Sequence, residues 1–81
     1  MKRFESEMVK AQSLARFEQD PLRADYWIGY QRGLRRAHHG EAFGTAEEHE
    51  TWLSLVHDDL DERRRQLGLG YLDGIKAIVE G

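Results

Sequence analysis

The chain carries the same six-residue pattern twice. Gly29-Tyr30-Gln31-Arg32-Gly33-Leu34 is echoed by Gly70-Tyr71-Leu72-Asp73-Gly74-Ile75, 41 residues later. Glycine inside a helix costs roughly 1 kcal/mol relative to alanine, so two in one helix need a physical reason. Gly29 and Gly33 are four residues apart and share one helical face, as do Gly70 and Gly74. A face without Cβ atoms admits a second helix at short range. The expectation is two helices crossing backbone to backbone, with Tyr30 and Tyr71 in equivalent places beside the crossing. This spacing drives helix pairing in membranes, but no segment here is long and apolar enough to span one.

The echo extends along the chain. At the same offset Glu7 aligns with Glu48, Ser13 with Ser54, Leu14 with Leu55, Asp20 with Asp61 and Arg23 with Arg64. A duplicated helical hairpin would leave such a repeat; so would chance acting on shared helix composition, and the sequence leaves both open.

Eighty-one residues make one domain, near the size at which a single core is marginal without staples. There is no cysteine, hence no disulfide and no thiolate metal site. The charged N-terminus has no apolar run of the signal-peptide kind, so a cytoplasmic location is expected. With one proline and no alternating apolar run, the fold expected is all-α, a compact domain of three or four helices.

Apolar residues at steps of three or four (Phe4, Met8, Ala11, Leu14 or Ala15, Phe17) predict a first helix over 3–18. Asp20-Pro21 then caps and opens a second over 21–39, with Gly40 as its left-handed stop. Its buried stripe would be Tyr26, Tyr30, Gly33, Leu34 and Ala37. Thr45 and Glu48 form a capping box for a third helix over 45–57, with His49, Trp52, Leu53 and Val56 inward and Phe43 tucked beneath the turn. Either residues 45–79 form one bent rod, or Asp58 caps a fourth helix over 59–79; the break near Asp58 is the reading taken. That helix would bury Leu60, Leu67, Tyr71, Gly74, Ile75 and Ile78. Asp59 with Arg63 and Asp61 with Arg65 would pair on its exposed face, while Gly68 and Gly70 would loosen its middle.

Charge is segmented. Residues 26–40 contain Arg32, Arg35 and Arg36 and no acid, whereas residues 41–62 contain eight acids and no Lys or Arg. Such blocks suit docking on a charged partner, or pairing between copies as a homodimer. The arginines fall on one face of the second helix, and Trp27 lies off its apolar stripe. Arginine beside an aromatic suits an acidic protein surface, where both are typical hot spots, or phosphate contacts with stacking. A solvated basic face paired with residues 41–62 is the plainer alternative. The Arg63-Arg64-Arg65 run should be neutralised by its own acids.

Chemistry is sparse. His38, His39 and Glu41 end the second helix, and Glu48 and His49 begin the third, so two or three could converge on a metal. No His-Glu-x-x-His or Glu-x-x-His spacing supports this. Ser6, Ser13 and Ser54 have no nucleophile context, and a chain this short has little room for a water-excluding pocket. No cofactor is implied and no catalysis is expected.

The two glycine-aromatic helices resemble those of the ribosome modulation factor family, small α-helical bacterial proteins. Gly29, Tyr30 and Gly33 match that family's first motif. Gly70, Tyr71, Asp73 and Gly74 match its second, with Tyr in place of the usual Trp. The resemblance implies binding to ribosomal RNA on the small subunit and silencing of translation, with Arg32, Arg35 and Arg36 as RNA contacts. The chain departs from the family in its acidic balance, its longer interval between motifs and its acidic 41–62 segment. Residues 26–53 also have the look of small bacterial or phage proteins. The reading that results is a non-enzymatic interaction module acting on a larger protein or ribonucleoprotein, with an inhibitor from a mobile element as a subclass. Its binding residues would be Trp27, Arg32, Arg35 and Arg36.

Overall fold

Two antiparallel helical hairpins cross at their second helices. The computed structural model describes residues 2–80: helix α1 (Lys2–Phe17), α2 (Pro21–His39), α3 (Ala46–Ser54) and α4 (Glu62–Val79), with 3₁₀ turns at Gly40–Phe43 and Leu55–His57. No strand occurs among the described residues. The domain is all-α and flattened, 36 × 31 × 19 Å.

Local chemistry sets the helix ends. Asp20 is extended and its carboxylate accepts from Leu22 N–H, with Pro21 in the first turn. Gly40 ends α2 at φ 72°, where side-chain-bearing residues are strained, and its N–H reaches Arg36 O. The Thr45/Glu48 capping box is formed in both directions, 2.8 and 3.1 Å. The break between α3 and α4 falls at residues 55–61. Its cap is Asp61, which accepts from Arg63 N and Arg64 N. Asp58 instead closes the turn before it, accepting from Leu60 N and Asp61 N.

The glycines make the crossing of α2 and α4. A Cβ placed on Gly29 would fall 2.0 Å from Leu67 O, and one on Gly33 2.1 Å from Tyr71 O. On Gly70 it would lie 1.8 Å from Tyr26 O, and on Gly74 2.2 Å from Tyr30 O. Each glycine therefore aims a Cα–H at a carbonyl of the other helix, a weak attraction that any side chain would abolish. These contacts advance together along both helices, so α2 and α4 run in the same sense. Shifting Gly29/Leu67 by the repeat offset gives Gly70/Tyr26, and Gly33/Tyr71 gives Gly74/Tyr30. The crossing is thus two-fold pseudosymmetric, and the sequence repeat is its imprint.

Around it, α1 runs antiparallel to α2, with Phe4 stacked on His38 at one end and Glu7 accepting from the Tyr30 hydroxyl (2.8 Å) further along. Likewise α3 runs antiparallel to α4, with His49 and Trp52 on Tyr71, and Leu55 over Gly68. Each hairpin has one Trp and one small residue at equivalent places, exchanged between helices. Ala11 of α1 and Trp27 of α2 correspond to Trp52 of α3 and Gly68 of α4. Met8, Ala11, Tyr30 and Leu34 form the core of the first hairpin, while Leu55 and Tyr71 are buried in the second.

Several expectations change. Gly68 and Gly70 do not loosen α4; both are buried packing positions, Gly68 within contact of Leu55 and Val56. Leu60 lies wholly exposed, in the turn before α4 rather than on its buried face. Phe17 is 76% exposed, because α1 ends there with no element above it. Phe43 is likewise exposed, resting on the His39 ring rather than under the turn. The expected helical ion pairs give way to others. Arg63 reaches across to the buried Asp25 (2.5 Å), Arg64 bonds Asp58 (2.9 Å), and Arg65 pairs with Glu62. Asp61 is occupied by capping.

Candidate functional site: an arginine face on the second helix

Ile28, Arg32 and Arg35 recur at four and three residues on the side of α2 away from α1, with Arg36 one turn beyond Arg32. The crossing fixes what lies beside them. Because α4 is drawn against α2, Tyr71 comes close to the arginine side of α2, and α3 packs over Tyr71. The Arg32 guanidinium sits 5.3 Å from the Trp52 ring centroid, and Trp52 stacks on Tyr71 at 5.2 Å. The Tyr71 hydroxyl and His49 Nδ1 share a 2.6 Å hydrogen bond. The Arg36 stem passes Gly44, its Cδ 3.4 Å from where a Cβ there would stand.

Electrostatically this is an unneutralised corner. Lys10, Arg23, Arg63, Arg64 and Arg65 all form ion pairs. Among the described residues, Arg32, Arg35 and Arg36 form none, although each is only partly exposed. The acidic segment 41–62 does not neutralise them by direct contact. Arg36 Nε is the one buried side-chain polar atom among the described residues that lacks a hydrogen-bond partner. The effect reaches its neighbours. Burial, then the Arg36 charge, holds the His49 imidazole below its usual range. Burial pushes the Tyr71 hydroxyl up, opposed by both Arg36 and Arg32. Hydrogen bonds from Thr45, assisted by Arg32, hold the Glu48 carboxyl low.

Trp27 is not part of this face. It packs edge-on against Tyr26 (4.9 Å) and Tyr30 (5.1 Å), towards α1. The indole beside the arginines is that of Trp52. The signal for it was the His49/Trp52 spacing of three, which puts both side chains over Tyr71, the repeat partner of Tyr30. Ile28, 47% exposed, also belongs to this face and lies outside the apolar stripe expected for α2.

The histidines disperse. His38 stacks on Phe4 (4.1 Å) and His39 on Phe43 (4.6 Å), while His49 is held by Tyr71. No three His, Asp or Glu groups among the described residues are placed to hold a metal ion. No helix among the described residues is long and apolar enough to cross a membrane. The chain matches no known protein family, no curated protein and no solved structure.

Proposed function

We propose that this is a small non-enzymatic interaction module of the cytoplasm that docks on a larger protein or ribonucleoprotein and modulates it. Inhibition on behalf of a mobile element is a function of this kind. The docking surface is the Ile28/Arg32/Arg35/Arg36 face with Trp52. The observation that carries the reading is the set of three partly exposed arginines without a counter-ion among the described residues, one with its Nε buried, on a protein whose other arginines are mostly paired. Leaving such charges unmatched is unfavourable in isolation, and a partner's anionic groups would relieve it.

The test is affinity capture from host lysate with and without nuclease, comparing the wild type with R32Q/R35Q/R36Q. The expected result is a nuclease-resistant protein that the triple variant loses. Equal recovery by both baits contradicts the assignment of the face.

The same arginines support a second reading, RNA or ribosome binding of the kind the ribosome modulation factor resemblance implies. Salt separates the two. Three phosphate contacts give a log–log salt slope of about −2, whereas an interface with apolar contacts at Ile28 and Trp52 gives a shallower one.

A further inference from the structure

Arg32 and Arg36 are one helical turn apart; Arg32 lies over the Trp52 ring, Trp52 stacks on Tyr71, and the Arg36 charge acts on both His49 and Tyr71. The Arg32 guanidinium forms no ion pair among the described residues. Arg36 is threaded past Gly44 with its Nε out of water and unbonded. Two like charges one helical turn apart repel each other, and one oxyanion bridging the two guanidinium groups would remove the repulsion. We infer that Arg32 and Arg36 form a two-guanidinium clamp for a side-chain carboxylate of an acidic segment in a partner protein. This rests on the reading of the arginine face as a docking surface and specifies what it grips.

The surroundings favour a protein carboxylate over nucleic acid. Glu48 lies close enough to Arg32 to feel its charge, and Glu47 and Glu50 are exposed on the same short helix. A phosphodiester chain, charged at every unit, would meet this acidic flank. A protein segment can place one carboxylate in the clamp and an apolar neighbour on Ile28. Arginine is needed because its planar fork matches a carboxylate with two parallel bonds.

The experiment uses the full chain, isotopically labelled, titrated in parallel with a capped Gly-Leu-Glu-Leu-Gly peptide, which carries one carboxylate between apolar neighbours, and a hexathymidylate oligonucleotide at equal salt. The Arg36 Nε–Hε resonance is the readout. The expected result is a saturable shift with the peptide, about tenfold weaker binding in R36Q and R32Q, and no change in K76Q. R36K keeps the stem and charge but loses the fork, so it should bind as weakly as R36Q while its circular dichroism melt stays near the wild type. Tighter binding of the oligonucleotide, wild-type affinity in R36K, or no saturable shift up to about 10 mM peptide each overturns the clamp. A captured protein partner that depends on the arginine face, alongside a failed peptide titration, removes the clamp and leaves the docking surface standing.

Discussion

His49 shows how one residue ties the core to the surface. Burial and the neighbouring Arg36 both disfavour its imidazolium form, and Nδ1 of the ring shares a hydrogen bond with the Tyr71 hydroxyl. Its folded pKa lies below the usual histidine range, so the unfolded chain takes up the proton first as pH falls. The stability from neutral His49 is therefore complete above about pH 6.5 and drains away as pH drops towards the folded pKa. Urea melts across that window should show falling unfolding free energy, and His49→Gln should flatten the fall. An unchanged slope in His49→Gln would place the pH dependence elsewhere. At this scale the sequence was partly legible. Tyr30, Tyr71 and Leu34 read correctly as buried because they sit on a helical period. Trp52 faces inward onto Tyr71 as its helical period implies, whereas Trp27 packs towards α1 instead of standing off the stripe, because hydropathy does not say which helix of a hairpin supplies the large side chain. Phe17 and Leu60 failed because an apolar residue at a helix end, or in a turn, has no neighbour to bury it.

The helix boundaries depend on caps, and the repeat makes a quantitative demand of them. Asp20 and Asp61 occupy equivalent positions and cap α2 and α4 in the same way, each accepting from the N–H two residues on. Asp20→Ala and Asp61→Ala should each cost about 1 kcal/mol in chemical denaturation, and Asp58→Ala less than either if its turn is only a connector. The start of α4 was misread because Asp58, Asp59 and Asp61 are all plausible caps by residue type. The offset from Asp20 selects Asp61, which shows that the repeat carries more information than local propensity here. Ion pairing was harder to foresee. Asp25 and Arg63 are 38 residues apart and meet only because α2 and α4 run in the same sense from adjacent starts.

For the whole molecule, the glycine crossing decides both the fold and the exposure of the arginine face. It brings the backbones of α2 and α4 together, seats Tyr71 beside α2, and lets α3 cover Tyr71, leaving Arg32, Arg35 and Arg36 outward. The crossing was readable from the echoed pattern because glycine spacing is a direct statement about backbone approach. The running sense of the helices and the lack of counter-ions on the arginines were not, since both depend on how the hairpins lie on each other. The most direct measurement is thermal unfolding of Gly29→Ala, Gly33→Ala, Gly70→Ala and Gly74→Ala. Alanine is favoured in a helix by roughly 1 kcal/mol over glycine, so an open crossing predicts four stabilised variants. Here each new Cβ would lie 1.8–2.2 Å from a carbonyl oxygen of the other helix. All four should therefore be net destabilised by about 1–3 kcal/mol, lowering Tm by several degrees or more. A raised Tm in any of them would contradict the close crossing, and with it the placement of the face beside it.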